Sequence, residues 1–175
     1  MSDYYYHPPA DPEVAAIVDQ LSNGLQNLEQ TLSQCRTQLE QGYTLGELRG
    51  ITTEEYAALY KMTHDLCDKG DFHNALPVAL QLALHNPVDH RYPFIAGACL
   101  QRLGHTEPAV LMYALACDVK PDDAASAYRL GECLITAQRP DEAKQFLQNV
   151  IDLSYGNFYY RRLQELAIKK LEDLH

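Results

Sequence analysis

The chain has 175 residues, of which 46% are hydrophobic and 22% are charged, as in an ordinary globular domain with a core of its own. Its formal net charge of −10, from 24 acidic and 14 basic residues, argues against a partner held through its phosphates, so we expect no direct nucleic-acid binding. No apolar run reaches the length of a membrane span, so we expect no membrane contact either.

The N-terminus and the cysteines indicate a compartment. The first residues show no basic segment followed by an apolar one, so no signal peptide is predicted. The 5 cysteines, at positions 35, 67, 99, 117 and 133, have neither metal-ligand nor disulfide spacing. We therefore expect a cytosolic protein with reduced thiols and without a metal or cofactor.

The N-terminal region divides into a tail and an arm. Residues 1–12 are rich in tyrosine and proline and are expected to be disordered. Residues 13–41 are predicted to be helical, because apolar residues recur at alternating steps of four and three. So narrow a seam favours pairing with a second copy of the arm in a homodimer, and the alternative is packing against the same chain. The seam consists of Val14, Val18, Leu21, Leu25, Leu28, Leu32, Cys35 and Leu39.

Residues 42–55 are punctuated by glycine and are predicted to be a linker that contains a short helix. The stretch "TEEY", which begins at Thr53, offers a helix cap followed by acidic residues in the first turn. We therefore predict that the next helix starts at Thr53.

Three segments align when the chain is laid on itself with a shift of 34 residues, at 56–89, 90–123 and 124–157. Alanine recurs at the twentieth place of each, and glycine stands at the eighth place of two, as shown by Ala75, Ala109 and Ala143 and by Gly97 and Gly131. This period with these small residues is the signature of tetratricopeptide repeats, which are stacked pairs of antiparallel helices. We therefore predict an all-α fold, an α-solenoid with three repeats over residues 56–156.

Small residues, glycines and prolines predict where the helices of each repeat cross and where they end. The small side chains predict a close helix crossing, with Gly97 against Ala109. Gly70 and Gly104 are predicted to end the first helices in a left-handed conformation, a position that Gln138 takes in the third repeat. Pro87 and Pro121 are predicted to stop the second helices. Residues 157–175 are predicted to form a C-terminal capping helix whose inward side chains are Leu163, Leu166 and Leu171.

The concave face of such a solenoid is the candidate binding site. Places 2, 5, 9 and 12 of each repeat point into the groove, and place 5 is aromatic three times, as Tyr60, Phe94 and Tyr128. The other groove residues are predicted to be His64, Cys67, Arg91, Ala98, Gln101 and Glu132. Flat rings separated by small residues suit an extended peptide with apolar or proline side chains. The alternative is that these rings only pack between neighbouring helices. The sequence contains none of the common catalytic motifs, so we expect no enzyme and no catalytic residue.

Three stretches, "TLGELRGITTEEYAALY", "DHRYPFIAGACLQRLG" and "YRLGECLITAQRPDEA", resemble those of the class II type III secretion chaperones. The resemblance covers roughly residues 43–153. It implies a chaperone of the bacterial cytoplasm that binds hydrophobic translocator proteins and keeps them soluble and unassembled before secretion. It also implies homodimers, a groove that takes a Pro-x-Leu-x-x-Pro segment, and, in some members, action with a transcriptional regulator.

Carried over to this chain, the resemblance implies a groove that involves Tyr60, Phe94 and Tyr128, with His64, Cys67 and Ala98 nearby. The chain departs from the family at His64 and Cys67, where aromatic residues are common, and the arm is longer than usual. One alternative is a co-chaperone adaptor that clamps a C-terminal carboxylate, but the lysine and asparagine that such a clamp needs are Tyr60 and His64 here. The other is an assembly scaffold that uses the convex face and the arm.

Overall fold

The computed structural model describes residues 12, 15, 16, 19, 36 and 38–174. Every regular element within these ranges is a helix, which confirms the predicted all-α fold. The helices are α1 (Leu45–Leu48), α2 (Thr53–Asp68), α3 (Phe72–His85), α4 (Arg91–Arg102), α5 (Thr106–Val119), α6 (Ala124–Thr136), α7 (Pro140–Ser154) and α8 (Arg161–Glu172), with a 3₁₀ turn at Phe158–Tyr160 before α8. The chain forms two compact units, Met1–Asn86 and Pro87–His175.

All of the predicted tail except Pro12, which is helical and exposed, and most of the predicted seam lie outside the described residues. These are residues 1–11 of the tail and Val14, Val18, Leu21, Leu25, Leu28, Leu32 and Cys35 of the seam. Leu39 is described, and it is helical and half-buried.

The first unit contains the hairpin of α2 and α3, with the short helix α1 docked on α3. A capping box at Thr44 and Glu47 starts α1, and Leu45 and Gly46 are buried. A side chain at Gly46 would collide with the Tyr56 hydroxyl, so α1 is held close to the hairpin. The segment predicted to be a linker thus contributes to the core of this unit.

The predicted start of α2 at Thr53 is confirmed, whereas the cap lies one residue before it and not in the stretch "TEEY". The cap is Thr52, whose hydroxyl accepts a hydrogen bond from the Glu55 N–H, while the Glu55 carboxylate accepts one from the Thr52 N–H at 2.8 Å. Such a reciprocal pair requires glutamate at the third helical position, and Glu55 stands there only when the helix begins at Thr53.

Buried His85 ties α3 to the residue that follows α1. Its Nε2 lies 3.0 Å from a guanidinium nitrogen of Arg49, and its Nδ1 lies 2.9 Å from the carbonyl oxygen of Gln81. Because the guanidinium only donates, Nε2 must accept, and Nδ1–H donates to the carbonyl. This assignment from the partners makes the ring neutral. Burial, together with the Arg49 charge, lowers the pKa of His85 below its ordinary value of 6.5.

We expect the first unit to lose stability as the pH falls below about 6.5. The unfolded chain then binds a proton at His85 that the folded chain excludes, so acid favours unfolding; above that pH the ring is neutral in both states and this loss disappears. The urea concentration at the midpoint of unfolding should be lower at pH 5.5 than at pH 7.5, and this difference should be larger in the wild type than in His85→Gln. The exposed His73→Gln variant should behave as the wild type does. An equal pH dependence in His85→Gln and the wild type would contradict this assignment.

The second unit contains the α4–α5 and α6–α7 hairpins and α8, which packs on α7 and α6. At the close crossing predicted for Gly97, the nearest side chain is that of Tyr113 on α5, since a Cβ at Gly97 would lie 3.0 Å from Cδ1 of that ring. Gly131 approaches Leu147 at the corresponding place, with a Cβ 3.0 Å from its Cγ. The nearest side chain in both hairpins is therefore one turn after the alanine of the predicted crossing, and in the second hairpin the carbonyl oxygen of that alanine, Ala143, lies 3.7 Å from the same Cβ.

The expected inward side of α8 also needs a correction. Leu166 is 39% exposed, whereas Ala167 is completely buried. Leu163 and Leu171 pack against the buried cluster, as predicted. Since Leu163, Ala167 and Leu171 are four residues apart, they share one face of the helix, and Leu166 lies beside that face.

The first helix of each repeat is followed, at the same place of the repeat, by a residue in the left-handed conformation, as predicted. Gly70 has φ 77°, Gly104 has φ 81° and Gln138 has φ 59°. The residue after each one donates its N–H to a carbonyl five positions back, for example His105 to Leu100 at 2.9 Å. Pro87 and Pro121 follow the ends of α3 and α5, also as predicted.

Gln138→Gly should raise the free energy of unfolding by about 1 kcal/mol, because a side chain at positive φ is strained and glycine is not. Gly104→Gln, which places the same side chain in the same conformation one repeat earlier, should lower it by a similar amount. Urea unfolding of both variants measures the two effects. A loss of stability in Gln138→Gly would show that the glutamine side chain contributes more than its backbone strain costs.

Candidate functional site

The predicted groove residues of the second repeat lie on one face of α4. Phe94, Ala98 and Gln101 are spaced by four and three residues, so they form one stripe, and all three are half-buried. Arg91 lies at the start of α4 and is exposed. The centre of this face is therefore an aromatic ring beside a small residue, with polar side chains at each end.

Tyr113 of α5 holds two members of this face in place. Its ring meets Phe94 edge to face, with centroids 5.5 Å apart and an interplanar angle of 68°. Its hydroxyl donates to Oε1 of Gln101 at 3.0 Å. Tyr113 itself is completely buried, and burial raises the pKa of its hydroxyl well above the ordinary value, so the group stays protonated and keeps donating. Tyr113 was not among the predicted groove residues, and the signal that could have identified it was an aromatic residue on the helix that faces the glycine at place 8.

Two charged residues of the predicted groove, Arg91 and Glu132, take part in ion pairs. Nε of Arg91 lies 2.9 Å from Oδ1 of Asp89, and hydrogen bonding to this guanidinium lowers the pKa of the Asp89 carboxyl. In the third repeat, Glu132 is paired with Arg129 at 2.8 Å and with Lys170 of α8 at 3.2 Å. The predicted groove residues Arg91 and Glu132 are thus engaged in pairs with neighbouring side chains.

Tyr128 occupies a different environment from Phe94. It is 5% exposed and belongs to a buried cluster with Leu147 and Val150 of α7 and Ala167 of α8. Burial, together with the nearby charge of Glu132, raises the pKa of Tyr128 to about 12. The third predicted groove ring therefore lies in the core of the second unit, and not at its surface.

The groove residues of the first repeat lie together on α2. The Tyr60 ring meets the His64 ring at a centroid distance of 4.8 Å and an angle of 81°. His64 is exposed, and Tyr60 and Cys67 are half-buried. The first unit thus presents a second aromatic face, on which the imidazole packs beside the tyrosine ring.

The described part of the chain holds no cluster of three metal-ligating side chains and no helix long and apolar enough to cross a membrane. Its cysteines at 117 and 133 are embedded among apolar residues, and burial raises the pKa of both thiols, to about 12 and about 11. On α4, the half-buried Phe94 ring beside Ala98 is suited to apolar contact with a ligand, and the Gln101 amide is suited to hydrogen bonding.

No family model matches the chain. Among curated proteins, the uncharacterised protein YgeG of Escherichia coli (strain K12) is 26% identical over 127 residues, which are 72% of this chain and 78% of YgeG. Neither comparison assigns an activity to the fold.

Solved structures show which class of protein shares the fold. SycD, a type III secretion chaperone of Yersinia enterocolitica bound to a peptide of the translocator YopD, superposes with a TM-score of 0.68 at 21% identity, covering 71% of this chain and 95% of SycD. PcrH bound to the chaperone-binding region of PopD superposes with a TM-score of 0.69 at 22% identity, covering 71% of this chain and 94% of PcrH. The chain therefore has the tetratricopeptide-type fold of the type III secretion translocator chaperones.

Proposed function

We propose that this protein is a class II type III secretion chaperone, which binds hydrophobic translocators in the bacterial cytoplasm and keeps them soluble and unassembled before secretion. It acts by shielding and not by catalysis. The observation that carries the proposal is the face of α4. There the half-buried Phe94 ring packs edge to face on the buried Tyr113 ring and lies beside the small Ala98. The shared fold supports it, since SycD and PcrH are translocator chaperones with peptide complexes.

The proposed ligand is an extended segment of the Pro-x-Leu-x-x-Pro kind. A proline ring covers the exposed side of Phe94, a leucine fits beside the small Ala98, and the Gln101 amide nitrogen donates to a backbone carbonyl of the peptide. Replacing water over these apolar surfaces contributes about 25 cal/mol per Å² of buried area. Ordering the peptide offsets much of this, so we expect a dissociation constant on the order of micromolar for a short segment.

Two further properties belong to the same proposal. The apolar seam of the arm supports a homodimer, because a stripe so narrow is typical of helix pairing. Action with a transcriptional regulator is proposed from the resemblance to the family alone.

The test is a fluorescence anisotropy titration with a labelled Pro-x-Leu-x-x-Pro peptide whose C-terminus is amidated. Saturable binding is expected, and a control peptide with serine at the proline and leucine positions should not bind. The same peptide with a free C-terminal carboxylate is titrated alongside. Because the amide removes the C-terminal charge, binding of the free-carboxylate peptide alone would instead identify a co-chaperone adaptor. If neither the amidated nor the free-carboxylate Pro-x-Leu-x-x-Pro peptide binds, an assembly scaffold is favoured.

A further inference from the structure

Helix α8 covers the groove residues of the third repeat. Ala167 of α8 is completely buried in the same cluster as Tyr128, and Leu163 and Leu171 pack against that cluster. Nζ of Lys170 lies 3.2 Å from Oε1 of Glu132, which stands one turn after Tyr128. As a result, Tyr128 is 5% exposed, whereas Phe94 at the corresponding place of the second repeat is half-buried.

The side of α8 that faces the cluster has the chemistry expected of a ligand. Its apolar residues follow helical spacing, and a single cation stands among them, in the set Leu163, Ala167, Lys170, Leu171 and Leu174. The apolar members meet the aromatic position of the repeat and the cation meets its acidic position. Helix α8 thus packs against both predicted groove residues of α6, against Tyr128 with its apolar side chains and against Glu132 with Lys170.

Helix α8 packs mainly on α7, where the Gln164 amide also donates to the Ile151 carbonyl at 3.4 Å, and few of its side chains are fully buried. Ala167 is its only buried residue, and its start has no capping side-chain hydrogen bond. The corner that precedes it exposes 85–86% of Tyr155, Phe158 and Tyr159, and it contains Gly156 at φ 73°. A terminal helix with one fully buried side chain, preceded by an exposed glycine corner, opens at a lower free-energy cost than the core of the unit.

We infer that α8 is a resident occupant of the third-repeat part of the groove, and that a client reaches Tyr128 only when α8 leaves α6. This inference rests on the proposed function. The free protein then exists mainly in a closed form, and its apparent affinity for a client equals the affinity of the open form multiplied by the fraction of molecules in which α8 is open. The Lys170–Glu132 pair is the contact that a single charge change removes most selectively.

The test compares Lys170→Glu with Lys169→Glu in the full-length chain. The first variant replaces the attraction to Glu132 by repulsion, while Lys169 is exposed and makes the same change of net charge without facing Glu132. The probe is the labelled Pro-x-Leu-x-x-Pro peptide, lengthened by apolar residues on both sides. Lys170→Glu should bind it about fivefold more tightly than the wild type, because a pair of this kind shifts an equilibrium by a few-fold and repulsion adds to it. Lys169→Glu should bind as the wild type does.

Hydrogen exchange of the α8 amides, measured without peptide, gives an independent readout. Exchange should be faster in Lys170→Glu than in both other proteins. Faster exchange with unchanged or weaker peptide binding would overturn the inference, since α8 would then be a structural cap alone. Unchanged exchange and unchanged binding would overturn it too, while leaving the proposed function intact. Loss of binding in all three proteins would contradict the proposed function and this inference with it.

Discussion

Tyr113→Ala is expected to lower the free energy of unfolding of the second unit by about 3–5 kcal/mol, the range for removing a buried aromatic side chain. The ring is completely buried, it packs edge to face on Phe94, and it fills the space that the missing side chain of Gly97 leaves. Its removal leaves a cavity between α4 and α5 that the two helices cannot close without moving. Urea unfolding followed by circular dichroism measures the loss.

Tyr113→Phe is the matched control for this prediction. It keeps the ring and removes only the hydrogen bond to Gln101, so we expect a loss of about 1 kcal/mol. A loss in Tyr113→Ala no larger than that in Tyr113→Phe would show that the ring is not the support of the α4 face.

Gly97→Val is expected to destabilise the second unit by about 3 kcal/mol. A Cβ at this position would already lie 3.0–3.1 Å from three atoms of the Tyr113 ring, and the two valine methyl groups extend further. The ring cannot yield, because it is completely buried. Valine is a better helix former than glycine by a few tenths of a kcal/mol, which is too little to offset the collision.

Ala98→Val tests the same side chain one residue later, on the half-buried groove side of α4. There we expect a loss below about 1 kcal/mol, which reflects the lower helix propensity of valine relative to alanine. Thermal or urea unfolding of the two variants side by side measures the difference. Equal losses would show that Gly97 does not mark the close crossing.

Features fixed by local chemistry were predictable from the sequence. The all-α fold follows from the 34-residue period. The left-handed ends at Gly70, Gly104 and Gln138 follow from residue identity at one place of the repeat, and Pro87 and Pro121 cannot continue a helix. The cap of α2 was missed by one residue because two threonines adjoin, and only the reciprocal bond to Glu55 distinguishes them.

Features fixed by packing were not predictable in the same way. A small residue at place 8 indicates a close approach but does not say which side chain of the facing helix lies nearest to it, and here it is the Tyr113 ring. The aromatic residue at place 5 recurs in each repeat, yet its exposure depends on the element that follows. Tyr128 is followed by α8, whose position the repeat pattern does not specify, and the ring is buried.

The central claim is that the α4 face binds an extended apolar peptide, and a titration with three proteins tests it most directly. The labelled Pro-x-Leu-x-x-Pro peptide is titrated with the wild type, with Phe94→Ala and with Leu111→Ala, which removes an exposed apolar side chain of α5. Circular dichroism confirms that each variant is folded. We predict saturable binding that Phe94→Ala weakens about tenfold or more and Leu111→Ala leaves unchanged. Wild-type affinity in a folded Phe94→Ala variant would contradict the claim.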